Sequence, residues 1–269
     1  MYFFDAHCDY LSALWQGKPT ALTERAVQKA NLQKSVLAAF EGGKPDRERV
    51  FAQAALMRTA HPVNRPFFAL EGLGWAENDD DFLWIREQKP FYVGPMWNRA
   101  NRFGGSCMED APITAWGKAR LRAMEENGIY VDLAHAGEKM FYSACDALER
   151  VLVSHANVYE CCAHPRNLHK NQIRVLIEKK AFLGLTFYVP FVGGDTLDAL
   201  FRHIEAVCDM GGEEILGFGS DFDGCSEVIE GATDVSLFAR IEEEMEKRNY
   251  PSVLREKIAH GNLEKNKSG

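Results

Sequence analysis

No stretch of the 269 residues approaches the roughly 20 consecutive apolar residues that a bilayer-spanning helix needs, so a helical membrane protein is excluded. Basic residues are in deficit. The 31 Lys and Arg against 39 Asp and Glu leave a formal net charge of −8, and no basic patch is visible. That argues against nucleic acid or an anionic membrane as a partner. The seven cysteines are an odd number, several of them in apolar segments (Cys145, Cys162, Cys208), which excludes a disulfide-stapled scaffold. Reduced thiols in a cytoplasmic protein are expected. Cys107 and Cys225, in Gly- and Ser-containing loops, are expected to be the more exposed ones. The opening residues 1–7 lack the basic and apolar regions of a secretory signal, and the polar residues 264–269 carry no lipid-anchor pattern. Linkers, low-complexity tracts and short repeats are absent too, so one domain over residues 1–269 is expected.

What the chain does have is a recurring unit: a short apolar run followed by an amphipathic stretch. The runs cover residues 2–6, 35–40, 67–70, 91–96, 129–133, 151–153, 182–187 and 215–219. They are rich in Val, Ile, Phe and Tyr, as buried parallel strands are. Leu197, Leu200, Phe201, Ile204, Val207 and Cys208 follow helical spacing, with Gly211 and Gly212 as a stop. Met140, Phe141, Ala144 and Leu148 form another stripe, and residues 45–60 and 113–127 also read as helices. Eight strands alternating with helices predict a closed (β/α)8 barrel. An open doubly wound sheet is the alternative, but no G-x-G-x-x-G turn follows the first run. That run begins at residue 2, so no cap domain is expected before it.

Polar residues of one chemical kind sit just after the runs. His7 and Asp9 follow the first, Glu71 the third, His135 the fifth, His155 the sixth, and Asp221 and Asp223 the eighth. In a parallel barrel these ends converge on one face. His7-x-Asp9 alone is a weak signal, since alternate residues of an extended segment share a face in any strand. Joined by His135 and His155, it reads as a metal site. Glu71 ends an apolar strand and needs a cationic neighbour. No Arg or Lys is seen at the matching strand ends, so a metal is the preferred partner. Three His, one Asp and one Glu exceed one tetrahedral set and suit two ions sharing Glu71. Asp221, nearer its strand than Asp223, is the preferred proton shuttle. Arg166, in a loop after the sixth run, is placed to hold a substrate carboxylate or to lie solvated. Tyr188, at the end of the seventh run, is placed to contact substrate or to pack.

These residues carry a resemblance. The segments Asp5-Ala6-His7-Cys8-Asp9, Leu70-Glu71-Gly72, Trp97-Asn98-Arg99-Ala100-Asn101, Asp132-Leu133-Ala134-His135, Ser154-His155-Ala156-Asn157, Arg166-Asn167-Leu168 and Gly219-Ser220-Asp221-Phe222-Asp223-Gly224 occur in one collinear order. In this the chain resembles the membrane (renal) dipeptidase family of metallopeptidases, in its soluble bacterial branch. The resemblance implies a (β/α)8 barrel with two zinc ions, one held by His7, Asp9 and bridging Glu71, the other by Glu71, His135 and His155. It implies that Arg166 binds the substrate carboxylate and that Asp221 handles the proton. The implied reaction is hydrolysis of dipeptides by a metal-bridging hydroxide, often with a D-residue at the C-terminal position, in an often dimeric enzyme. One departure is visible. Animal members carry a His where Trp97 stands here, which leaves the zinc ions or Asn98 to stabilise the oxyanion. Two other readings compete: a different barrel amidohydrolase acting on a cyclic amide or phosphoester, and a metal-binding homologue with impaired catalysis.

Overall fold

The computed structural model describes residues 1–59 and 64–265. Eight strands follow in chain order: β1 (Phe3–Cys8), β2 (Leu32–Phe40), β3 (Arg65–Glu71), β4 (Tyr92–Gly94), β5 (Tyr130–Asp132), β6 (Val151–Leu152), β7 (Leu183–Leu185) and β8 (Leu216–Phe218). Each falls on one of the eight apolar runs. The sheet order is β6-β5-β4-β3-β2-β1-β8-β7, with every pairing parallel. A further parallel bridge from Val153 to Leu183 joins its two edges, so the sheet closes into the expected (β/α)8 barrel. Parallel neighbours require crossovers on the outside, and these are mostly helical.

The crossovers contain α1 (Tyr10–Trp15), α2 (Glu24–Ala30), α3 (Arg47–Thr59), α4 (Asp79–Gln88), α5 (Ala115–Glu125), α6 (Glu138–Ala147), α7 (Lys170–Lys179), α8 (Val189–Val192), α9 (Leu197–Cys208) and α10 (Leu237–Lys247). Two are shorter than their periodicity predicts, and capping gives the reason. Asp46 Oδ1 accepts from Arg49 N at 3.0 Å, which starts α3 after Pro45. Thr114 Oγ1 accepts from Gly117 N at 2.9 Å and excludes Ile113 from α5. Residue 60 of the expected helix 45–60, and residues 266–269 of the polar tail, lie outside the described residues. No described helix is long and apolar enough to cross a membrane.

Apolar side chains fill two layers. Phe4, Ala6, Val36, Ala69, Tyr92, Leu152 and Phe182 pack with Leu263 in one cluster inside the barrel, and a larger cluster lies between strands and helices. Asn262 Nδ2 donates to Leu216 O at 2.8 Å, which fixes the C-terminal segment under the N-terminal end of the barrel. The functional end is therefore the opposite one, where the strands finish. Backbones crowd there: a Cβ on Gly219 would lie 1.8 Å from Ser154 O.

Candidate metal centre

A cavity of about 530 Å³ opens at the C-terminal mouth, within the size range of small-molecule sites. Asp9, Glu71, Trp97, Asn98, His135, His155, Arg166, Tyr188 and Asp221 all line it. His7 lies beneath them, fully buried. The barrel thus brings together every residue singled out from the strand ends. They arrive from the ends of seven strands and the loops that follow them, which explains why they are scattered along the chain.

The donor atoms sit at the spacing of metal ligands. Glu71 Oε1 is 2.7 Å from His135 Nε2 and 3.8 Å from His155 Nε2, and those two nitrogens are 3.2 Å apart. On the other side, His7 Nε2 is 3.5 Å from Asp9 Oδ2 and 3.8 Å from Glu71 Oε2. Tetrahedral bonds of 2.0–2.1 Å put neighbouring ligand atoms about 3.3 Å apart. The groups Glu71–His135–His155 and His7–Asp9–Glu71 each keep their ligand atoms within 4.8 Å of one another, and both use Glu71. A third group, His7–His155–Asp221, meets the same limit.

Hydrogen bonds fix which nitrogen of each ring is free. Tyr92 Oη donates to Ala6 O at 3.1 Å, so its 2.7 Å contact with His7 Nδ1 makes that nitrogen the donor. Ser154 Oγ donates to Asp132 Oδ2 at 2.5 Å and therefore accepts from His155 Nδ1 at 2.8 Å. His135 Nδ1 donates to Asn98 Oδ1 at 3.0 Å. All three rings spend their proton on Nδ1 and turn a bare Nε2 inward, the arrangement found around metal-ligating histidines. His7 Nε2 and Asp9 Oδ1 are buried with no hydrogen-bond partner among the described residues. His135 and His155 turn unprotonated Nε2 atoms toward each other at 3.2 Å, a repulsion that the Arg166 Nη2–H directed at His135 Nε2 relieves on one ring alone. A cation between them removes that repulsion, so the donor set fits divalent metal.

The local field points the same way. Burial alone would keep His7 neutral, yet Asp9, Glu71 and Asp221 push its pKa up to about 10. Burial, with Asp9 and Glu71 as negative neighbours, raises Asp221 well above the usual carboxylate range. A field able to hold a proton on a buried imidazole also holds a metal cation.

The loop after β8 is pinned to β1. Ser220 N and Oγ donate to Asp5 at 2.8 and 2.5 Å, and Asp221 N donates to His7 O at 3.1 Å. Asp221 adopts φ 61°, and its Oδ1 comes within 3.8 Å of His7 Nε2. Gly224 lets this backbone close in, since a Cβ there would lie 2.2 Å from Asp9 Oδ2. Asp223 instead accepts from Ala21 N at 2.9 Å, so its carboxylate serves the loop.

The structure corrects one expectation about Glu71. A cation does reach its surroundings: Arg166, from the loop after β6, is buried and its Nη2 donates to His135 Nε2 at 3.2 Å. Its Nη1 has no partner among the described residues. A metal on His135 therefore requires the guanidinium to turn toward the cavity. Asn98 also differs in detail, because its Oδ1 is engaged by His135 and only its Nδ2 hydrogens are left for other partners. Cys107 and Cys225 are half-buried in the cavity wall rather than the exposed thiols expected. Sequence reasoning missed Tyr92 and Ser154 as ring anchors. The Ser154-His155 pair and Asp132 three residues before His135 were the available signals.

Comparisons with known proteins bear on the family and the fold. The family model for membrane dipeptidase (peptidase family M19) matches residues 91–265. A Klebsiella pneumoniae protein, described only as an uncharacterised protein in the pqqA 5′ region, is 26% identical over 235 residues, covering 79% of this chain and 82% of its own. The dipeptidase tcpJ of Claviceps purpurea is 29% identical over 181 residues, 64% of this chain, which spans 43% of that protein. Among solved structures, a dipeptidase of family M19 superposes with a TM-score of 0.89 at 20% identity, covering 98% of this chain and 96% of its own. A Rhodobacter sphaeroides metallo peptidase, liganded with a phosphinate mimic of the dipeptide L-Ala-D-Ala, gives 0.85 at 20% identity, covering 98% and 97%.

Ser154→Ala removes the acceptor that orients His155. The expected outcome is about a 10–100-fold loss of affinity for divalent cation, read by competition with a chromogenic chelator. An unchanged affinity would detach Ser154 from the centre.

Proposed function

Because this chain belongs to the membrane dipeptidase family, peptidase family M19, we propose that it is a metal-dependent dipeptidase. The observation that carries the reading is the inward convergence of three bare Nε2 atoms on Asp9, Glu71 and Asp221. His7, Asp9 and Glu71 would hold one ion, and Glu71, His135 and His155 a second, with zinc suited to such mixed N and O donors. When bound, the pair supplies Lewis acidity for the scissile carbonyl and acidifies a water to a nucleophile at neutral pH.

The chain's own groups do the rest. Arg166 offers a buried guanidinium with an unpartnered Nη1, suited to a substrate's terminal carboxylate. That contact fixes the distance from carboxylate to scissile bond, which favours dipeptides over longer chains. The Asp221 carboxylate, whose Oδ1 lies 3.8 Å from His7 Nε2 at the edge of the centre, takes a proton as water attacks the carbonyl carbon. It returns that proton to the nitrogen as the C–N bond breaks. Trp97 packs 5.1 Å from the Phe40 ring and 6.2 Å from the His135 ring, forming an apolar wall. Asn98 Nδ2 is the side-chain donor proposed for the substrate oxygen. Tyr188 would contact substrate from the far wall. The dipeptide mimic in the Rhodobacter sphaeroides structure supports this substrate class, a D-residue at the C-terminal position included. The seven free thiols fit a reducing compartment such as the cytoplasm.

The reading is tested by incubating the purified protein with L-L and L-D dipeptides. Hydrolysis that chelator abolishes and zinc restores is expected, and no hydrolysis of any dipeptide would reject it. Asp221→Asn should retain metal and lose about 100-fold or more in kcat. An unchanged kcat would remove Asp221 from proton transfer. Arg166→Ala should raise KM for free dipeptides at least about tenfold while leaving C-terminally amidated ones unaffected. Equal effects on both would remove the carboxylate clamp.

A further inference from the structure

The cavity has a second cationic pole. Arg49, on α3, lines it opposite Arg166, together with Lys18 from the loop after α1. In a closed ring of eight strands, the crossovers after β2 and β6 are four places apart and face each other across the mouth. Arg49 belongs to the first and Arg166 to the second, with the candidate metal centre between them.

Arg49 is held rather than free. Its guanidinium carbon lies 4.8 Å from the Trp15 ring and 5.1 Å from the Phe40 ring, and its Nη2 donates to Ser12 Oγ at 3.1 Å. Ser12 is one helical turn beyond Asp9, which ties the guanidinium to the edge of the centre. No acidic side chain among the described residues pairs with it, and its buried Nε has no hydrogen-bond partner. The contrast on the same helix is Arg47, which pairs with Asp81 at 2.6 Å. Four carboxylates line the cavity: Asp9, Glu71 and Asp221 belong to the candidate metal centre, and Asp223 is engaged by Ala21 N. The Arg49 guanidinium at this end therefore lines the cavity without an ion pair of its own among the described residues.

We infer that Arg49, aided by Lys18, is a specificity-determining anion site that selects dipeptides whose N-terminal residue carries an acidic side chain. The inference rests on the dipeptidase reading. With the C-terminal carboxylate at Arg166 and the scissile carbonyl over the metal ligands, the N-terminal residue extends toward α3. There a side-chain carboxylate meets a planar, preoriented guanidinium flanked by aromatic rings, whereas the isosteric amide gains no charge pairing.

The test compares kcat/KM for L-Glu-Ala, L-Gln-Ala and L-Lys-Ala, with L- and D-Ala in the second position. The Glu-to-Gln ratio is expected to be about tenfold at low salt and to shrink toward unity near 1 M salt, where screening acts over about 3 Å. Lys-Ala should be the poorest. Arg49→Met keeps the apolar stack and should collapse the Glu-to-Gln ratio to about one, while Arg49→Lys keeps part of it. A purely structural Arg49 would lower all three substrates alike and leave the ratio intact, which would overturn the inference. If Arg49→Met does not fold, the salt dependence of the unaltered enzyme decides, and a salt-independent ratio near one rejects the site. Cleavage of Gln-Ala with no advantage for Glu-Ala overturns this inference alone. Failure to cleave any dipeptide overturns the dipeptidase reading as well.

Discussion

Three buried imidazoles, each with its proton already committed outward through Nδ1, are forced against three carboxylates at the barrel mouth. That arrangement draws in positive charge, which the buried Arg166 guanidinium and the raised proton affinity of His7 supply in part and which divalent cations would complete. Bare nitrogens face one another at 3.2 Å, and a buried His7 is surrounded by Asp9, Glu71 and Asp221. Buried groups of this kind are tolerated where metal binding repays their desolvation. Much of the surrounding structure is explained by holding these groups in place.

The anchors repeat. Asp132 accepts from Ser154 N and Oγ after β6, and Asp5 accepts from Ser220 N and Oγ after β8, at the same distances of 2.8 and 2.5 Å. In both cases a buried carboxylate in one strand clamps the end of another strand. The first clamp fixes the tautomer of His155. The second fixes the loop that carries Asp221 beside His7. Tyr92 does a related job from the barrel interior, linking the apolar filling to His7, the first candidate ligand. The scaffold and the candidate centre therefore share residues, and the division between a stabilising barrel and a functional rim is not sharp in this chain.

The alternation of apolar runs with amphipathic stretches made the barrel legible, because parallel strands covered by helices must be apolar on both faces. The candidate ligands were legible for a related reason: His7, Glu71, His135 and His155 interrupt or end such runs, where a polar side chain otherwise costs stability. Helix ends were less so. Pro45 and Ile113 fit the helical periodicity, but Asp46 and Thr114 start the helices after them. Arg166 was read as a loop residue with two open fates, and its burial against His135 depends on a long side chain folding back across the mouth. Arg49 was illegible altogether. It sits on an ordinary polar helix, and only closure of the barrel sets it opposite Arg166.

The central claim is that these side chains surround two divalent cations. Metal content of the purified protein, combined with anomalous scattering from its crystals, tests it most directly. Two equivalents per chain are expected, with one peak bounded by His7, Asp9 and Glu71 and the other by Glu71, His135 and His155. A protein that binds no zinc at saturating concentration, or binds it away from Glu71, would contradict it.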